Sequence, residues 1–163
     1  MRMTLPGNRM AELVDTVITD ERWRKVDINT LAESACSAVL LRLELDPAAH
    51  EIALLACDDA KISTLNAQFR DKPVPTNVLS WPSVVLHPGA APPEELGDIA
   101  ISYDTCKAEA ADQGKDFAAH VSHLLVHGCL HLLGYEHGSA KEAQMMEGLE
   151  VEILAKLGLR DPY

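Results

Sequence analysis

Short apolar runs of strand length alternate along this chain with longer stretches whose apolar residues recur every three or four positions, the two periods that separate β-strands from amphipathic helices. Ala11 to Thr19 (AELVDTVIT) alternates as a strand, and Asp27 is placed to cap a helix to Leu43 in which Leu31, Ala35, Val39 and Leu43 recur at helical spacing. HEIALLAC, from His50, is short and mostly apolar and predicts a buried strand. Asp58 or Asp59 can cap the next helix, with Ile62, Leu65 and Phe69 on one face. From Arg70 to Pro75 the sequence RDKPVP carries two prolines, which exclude a continuing helix and predict a loop.

Asn77 to Trp81 (NVLSW) and Leu96 to Ser102 (LGDIAIS) are the third and fourth strand candidates. The proline-rich stretch between them, Pro82 to Glu95, has no helical period and is expected to be an exposed connection. A helix follows to about Gln113, where Gly114 ends it, and Phe117 to Leu133 is the longest apolar helical pattern. After a turn at Gly134–Gly138, Ser139 and Glu142 form a capping box for a last helix with Met145, Met146, Leu149 and Ile153 on its apolar face; Gly158 closes it. No internal repeat, low-complexity tract or linker divides the chain. These elements, four strand candidates among helices, predict one domain over residues 1–163.

At 163 residues and 47% hydrophobic, the chain has enough apolar material for one core. The N-terminal segment turns polar too quickly for a signal peptide, and no stretch is long and apolar enough to span a bilayer, so no membrane partner is expected. Cys36, Cys57, Cys106 and Cys129 are scattered without a CxxC pair and read as reduced thiols of a cytoplasmic protein. A net charge of −11 argues against coating nucleic acid by bulk electrostatics. Any binding of RNA must be local.

The chemistry is concentrated in HGCLHLLGYEH, from His127 to His137. Residues four apart share one face of a helix, so His127 and His131 can place two imidazole nitrogens on one ion. Gly134 can take a positive φ, letting the chain leave the helix sharply and bring back His137 as a third ligand. Three protein ligands leave one position open, the mark of a catalytic rather than a structural metal site. Zn²⁺ suits three neutral imidazoles, although nickel, copper or iron also accept them. The spacing is that of the metzincin pattern HExxHxxGxxH, except that Gly128 stands where the general-base glutamate would be, which counts against peptide hydrolysis. His123, one turn before His127, is a candidate fourth ligand or hydrogen-bond partner of a ligand, against a packing or solvent-facing role. Cys129 reads as a small buried apolar residue, His50, His87 and His120 as surface histidines, and Glu136 as a partner of the ligands or a solvated turn carboxylate.

LNAQFRDKPVPTNVLSWP from Leu65, LGDIAIS from Leu96 and HGCLHLLGYEH from His127 together resemble the YbeY family of endoribonucleases, also called rRNA maturation factors. The resemblance is close over the last hundred or so residues and looser before them. It implies a zincin-like α+β fold, a small mixed four-stranded sheet packed by helices with the metal site on a central helix, a metal held by His127, His131 and His137, and single-strand-specific RNA cleavage in 16S rRNA 3′-end maturation and ribosome quality control. It also implies that Arg70 is the catalytic arginine of the cleft and that Asp98 is the aspartate of the family's strand. Trp81 replaces the usual phenylalanine and Glu136 the usual aspartate.

Phosphodiester cleavage gives Arg70 a use, because a guanidinium can hold two nonbridging oxygens in a fork as negative charge builds on them. Read from residues alone, without the resemblance, Arg70 is first of all a cation at a helix C-terminus. Thr76, Asn77 and Ser80 can bind phosphate or sugar, or make turn and strand-edge hydrogen bonds. Asp98 is either a partner of a ligand histidine or a buried hydrogen-bonded carboxylate. Attack by water would leave a linear phosphate and attack by the RNA 2′-hydroxyl a cyclic one. The competing function is a ribosome-associated assembly factor whose acidic surface docks on basic ribosomal proteins and whose metal is mainly structural. A fourth protein ligand would mark that case.

Overall fold

A computed structural model describes residues 12–163. Ala11, where the first strand is expected to start, and most of the segment bearing on a signal peptide lie outside the described residues. The four strands are β1 (Val14–Ile18), β2 (Glu51–Cys57), β3 (Val78–Pro82) and β4 (Glu95–Ser102), in the sheet order β1-β2-β4-β3. The pairs β1–β2 and β2–β4 are parallel and β3–β4 is antiparallel. Parallel neighbours need a crossover, and α1 (Ile28–Arg42) supplies it between β1 and β2. α2 (Asp59–Arg70) follows β2, α3 (Tyr103–Gln113) follows β4, and α4 (Phe117–Leu132) and α5 (Ala140–Lys156) complete the chain. Among the described residues no helix is long and apolar enough to cross a membrane.

Strand alternation sorts side chains between two cores. Ile52, Leu54, Ile99 and Ile101 join Ala35 and Val39 of α1 and Leu125 and Cys129 of α4 in the main cluster. Cys57, Leu79 and Ala100 point to the other face, under Ile62 of α2. α4 therefore lies against α1, β3 and α5 with apolar residues on most of its circumference. Only a narrow stripe bearing histidines is left for the site.

Local signals placed most boundaries within a residue or two. Asp58 caps α2 by accepting from Lys61 N at 2.9 Å, and both bonds of the Ser139–Glu142 capping box are made. Asp27 behaves differently: it sits in the left-handed region at φ 49° and its carboxylate accepts from the Thr30 hydroxyl, not from a helix N–H. The face expected on α2 is rotated. Ile62 and Asn66 are buried, with Asn66 Nδ2 donating to Val74 O at 2.9 Å, whereas Phe69 is 62% exposed and meets Trp81 edge-on at 5.2 Å. A 3-10 segment, Glu21–Val26, has no sequence counterpart because the charges around Trp23 break any period. Trp23 is wholly buried and donates Nε1–H to Cys57 O at 2.8 Å.

Candidate metal centre

α4 presents His127 and His131 one turn apart, and the chain then turns sharply at Gly134 (φ 97°), where Tyr135 N bonds back to Leu130 O at 3.1 Å. A Cβ on Gly134 would stand 2.5 Å from Leu86 O, so the turn needs glycine for space as well as for φ. The proline-rich connection is thus more than a linker, because Leu86 packs directly on the turn that carries His137. The turn closes the triad: ligand atoms of His127, His131 and His137 all lie within 4.8 Å of one another and can hold one ion.

Tautomers follow from what lies behind the rings. His131 Nδ1–H donates to Tyr135 O at 2.7 Å, and His127 Nδ1–H donates to Glu150 Oε2 at 2.7 Å. Both Nε2 atoms therefore carry lone pairs, and they face each other at 3.0 Å. Two acceptors at that distance repel unless a cation lies between them. Tetrahedral Zn–N bonds of about 2.0–2.1 Å separate two ligand nitrogens by roughly 3.3 Å, so the pair fits such an ion closely. Burial, reinforced by His127 alongside, holds His131 below the usual histidine range and favours the neutral ligand form.

Glu150 of α5 is the functional residue that sequence reasoning missed. It is wholly buried and binds three groups: His127 on Oε2, and His123 (Nε2–H, 2.8 Å) and the Tyr163 hydroxyl on Oε1. Burial pushes its carboxyl up, but the hydrogen bonds from His123, His127 and Tyr163 outweigh that and bring it from 4.5 down to about 2. A signal was present. Glu150 falls four residues after Met146 and three before Ile153, inside the apolar stripe of α5, where an unpaired carboxylate would be costly. His123 thus touches the site through Glu150 and lies outside the group of three histidines that could hold an ion.

The triad opens into a cleft of about 550 Å³ that Arg70, Thr76, Asn77, Ser80, Gly128 and Tyr163 also line. Arg70, the last residue of α2, is exposed there. Asn77 is committed to structure, with Nδ2 on Glu109 at 3.0 Å and Oδ1 on Val78 N at 2.6 Å. Gly128 lines the cleft with its Cα packed toward Ile99 and Val78, so it brings no carboxylate to the position where a metzincin carries one. Glu136 lies 3.6 Å from His131 Nδ1 and is largely exposed.

The family model described as Endoribonuclease YbeY matches residues 15–158. The chain belongs to the YbeY family. It is 54% identical to a protein named Endoribonuclease YbeY from Paracoccus denitrificans over 93% of this chain and 90% of that one. It is 51% identical to a protein of the same name from Jannaschia sp. over 92% of this chain and 99% of that one. A solution structure of TM1509 from Thermotoga maritima superposes with a TM-score of 0.58 at 19% identity, covering 89% of this chain and 91% of the other, which shows the same fold.

Two residues named from the YbeY motifs and the histidine pattern stand elsewhere than expected. Asp98 is exposed and shares the α2 face of β4 with Ala100, whereas Ile99 and Ile101 face α4. Strand parity puts it on the side of the sheet away from the histidines, so it is neither their partner nor a buried carboxylate. His120, expected at the surface, is 5% exposed and pairs through Nε2 with Glu109 at 2.9 Å, because it falls on the stripe of α4 that α3 covers. His50 is half-buried and donates to Pro93 O at 2.8 Å; His87 is exposed. Cys129 is buried as expected, and its neighbour Cys36 together with burial pushes its thiol well up.

Glu150→Gln tests the carboxylate directly. An amide has one acceptor oxygen for three donors, so metal affinity is expected to fall about 10–100-fold in a chelator competition titration. Because the folded carboxyl lies at about 2 against an ordinary 4.5, its stabilisation is present above 4.5 and lost as pH falls through about 2. The stability difference between wild type and variant in denaturant titrations should shrink over that window.

Proposed function

We propose that this chain is a single metal-dependent endoribonuclease domain, specific for single-stranded RNA, that acts in the cytoplasm on ribosome-associated rRNA, including the 16S 3′ end, in maturation and quality control. The observation that supports this most is the convergence of three imidazoles on one point with Arg70 lining the same cleft, in a chain of this family. His127, His131 and His137 would hold the ion, Zn²⁺ by the chemistry of three neutral nitrogens. When bound, the ion supplies Lewis acidity toward a phosphate oxygen or a water.

The chain's own residues do the rest. Glu150 and Tyr135 O fix the two α4 rings with their Nε2 lone pairs toward the cleft. The Arg70 guanidinium takes two nonbridging oxygens of the scissile phosphate and offsets the charge that grows there. Among the described residues no fourth side chain joins the triad, which supports a catalytic rather than a purely structural ion.

The test is incubation of metal-loaded protein with one defined RNA, single-stranded and as a duplex, beside a histidine variant that excludes contaminating nucleases. The expected result is cleavage of the single strand alone. A cyclic phosphate at the new end assigns attack to the 2′-hydroxyl, and a linear one to water. No cleavage by the metal-loaded wild type would overturn the enzymatic reading.

A further inference from the structure

The metal cleft is poor in cations for a site that must hold RNA. Arg70 is the one lysine or arginine among the described residues lining it, on a chain of net charge −11. Phosphate attraction scales with the number of neutralised phosphates, so one arginine beside one metal ion supplies few contacts to the RNA backbone. The alternative source is base stacking, which needs an exposed, immobile aromatic ring.

Tyr163 meets those requirements. It is the one tyrosine, phenylalanine or tryptophan among the described residues lining the cleft, and it is 63% exposed. It also borders a smaller hollow with His127 and His137, which places it beside the triad. Two contacts pin the ring: its hydroxyl donates to Glu150, and it meets His123 at 5.4 Å between centroids with the rings at 85°. A perpendicular contact covers at most one face. Tyr163 lines the cleft, so the ring can be reached from it.

We infer that Tyr163 is the base-stacking platform of this site, holding an unstacked nucleobase of single-stranded RNA next to the phosphate that faces the triad. The inference rests on the proposed function and adds the group that selects single strands, since a base within a duplex has no free face to offer. Glu150 then serves both sides of the cleft, fixing a ligand ring through one oxygen and the platform through the other.

The test uses full-length metal-loaded protein and an uncleavable single-stranded oligodeoxynucleotide containing 2-aminopurine, whose fluorescence is quenched when it stacks. Wild type, Tyr163→Phe and Tyr163→Ala are titrated, with metal content measured for each. The expected result is quenching by wild type, quenching with affinity within a few-fold of wild type for Tyr163→Phe, which keeps the ring but loses its hydroxyl contact, and about tenfold weaker binding without quenching for Tyr163→Ala, all at full metal content. In cleavage assays the alanine variant should raise KM far more than it lowers kcat. If Tyr163→Ala binds and quenches as wild type does, the inference falls while the nuclease reading stands. Loss of metal and activity in both variants would overturn it in favour of a purely positioning role through Glu150. A wild type that neither binds the strand nor cleaves RNA overturns both readings together.

Discussion

His131→Ala should lose most of its metal and all measurable RNA cleavage while keeping the fold. His131 has no substitute: its ring is tied to Tyr135 O, and no fourth side chain among the described residues stands by to replace it. Two ligands hold a divalent ion far less firmly than three, and metal content by elemental analysis after dialysis should fall from about one ion per chain to a small residue. The fold should survive because α4 is anchored by Leu125, Cys129 and Leu130 in a core that contains none of the three ligands. Small zinc domains, which unfold without metal, behave oppositely. Far-ultraviolet circular dichroism of the variant, and of the wild type after chelation, checks this. Equal metal in wild type and variant would sink the triad, and collapse of the helical signal would place the ion in the structural class.

The second large effect is expected at Arg70, where binding and chemistry separate. Arg70→Ala should keep full metal occupancy and lose cleavage on the order of a hundredfold or more, the scale of one charged stabiliser of a transition state. Arg70→Lys should rescue poorly, because a lysine restores charge but not the planar two-point fork. A cation that only favours the C-terminal end of α2 predicts something else: both substitutions would cost a few tenths of a kcal/mol and leave the rate nearly unchanged. Its exposure in the cleft that the triad also lines is what the catalytic role requires. Single-turnover cleavage of the same RNA by all three proteins decides, with metal content and melting temperature measured alongside. Near-wild-type rates in Arg70→Ala would remove it from the mechanism.

What was legible in the chain was what depends on neighbours a few positions apart. The His127–His131 spacing, the glycine turn to His137, the Ser139–Glu142 box and the four strands each follow from a period or a cap that acts within one or two turns. The tertiary structure alone decided which faces meet. Asp98 reads as a site residue until strand parity and the position of α2 put it on the wrong side of the sheet. Phe69 reads as core until the rotation of α2 hands that place to Asn66. Glu150 and Tyr163, 23 and 40 positions beyond the histidines they touch, reach the site only because α5 packs across α4. Hydrogen bonds of that kind join groups far apart in the chain, and no local pattern encodes them. The candidate metal ligands could therefore be named from one helix and its turn, whereas the carboxylate bonded to His127 and the tyrosine bonded to that carboxylate had to wait for the packing of two helices.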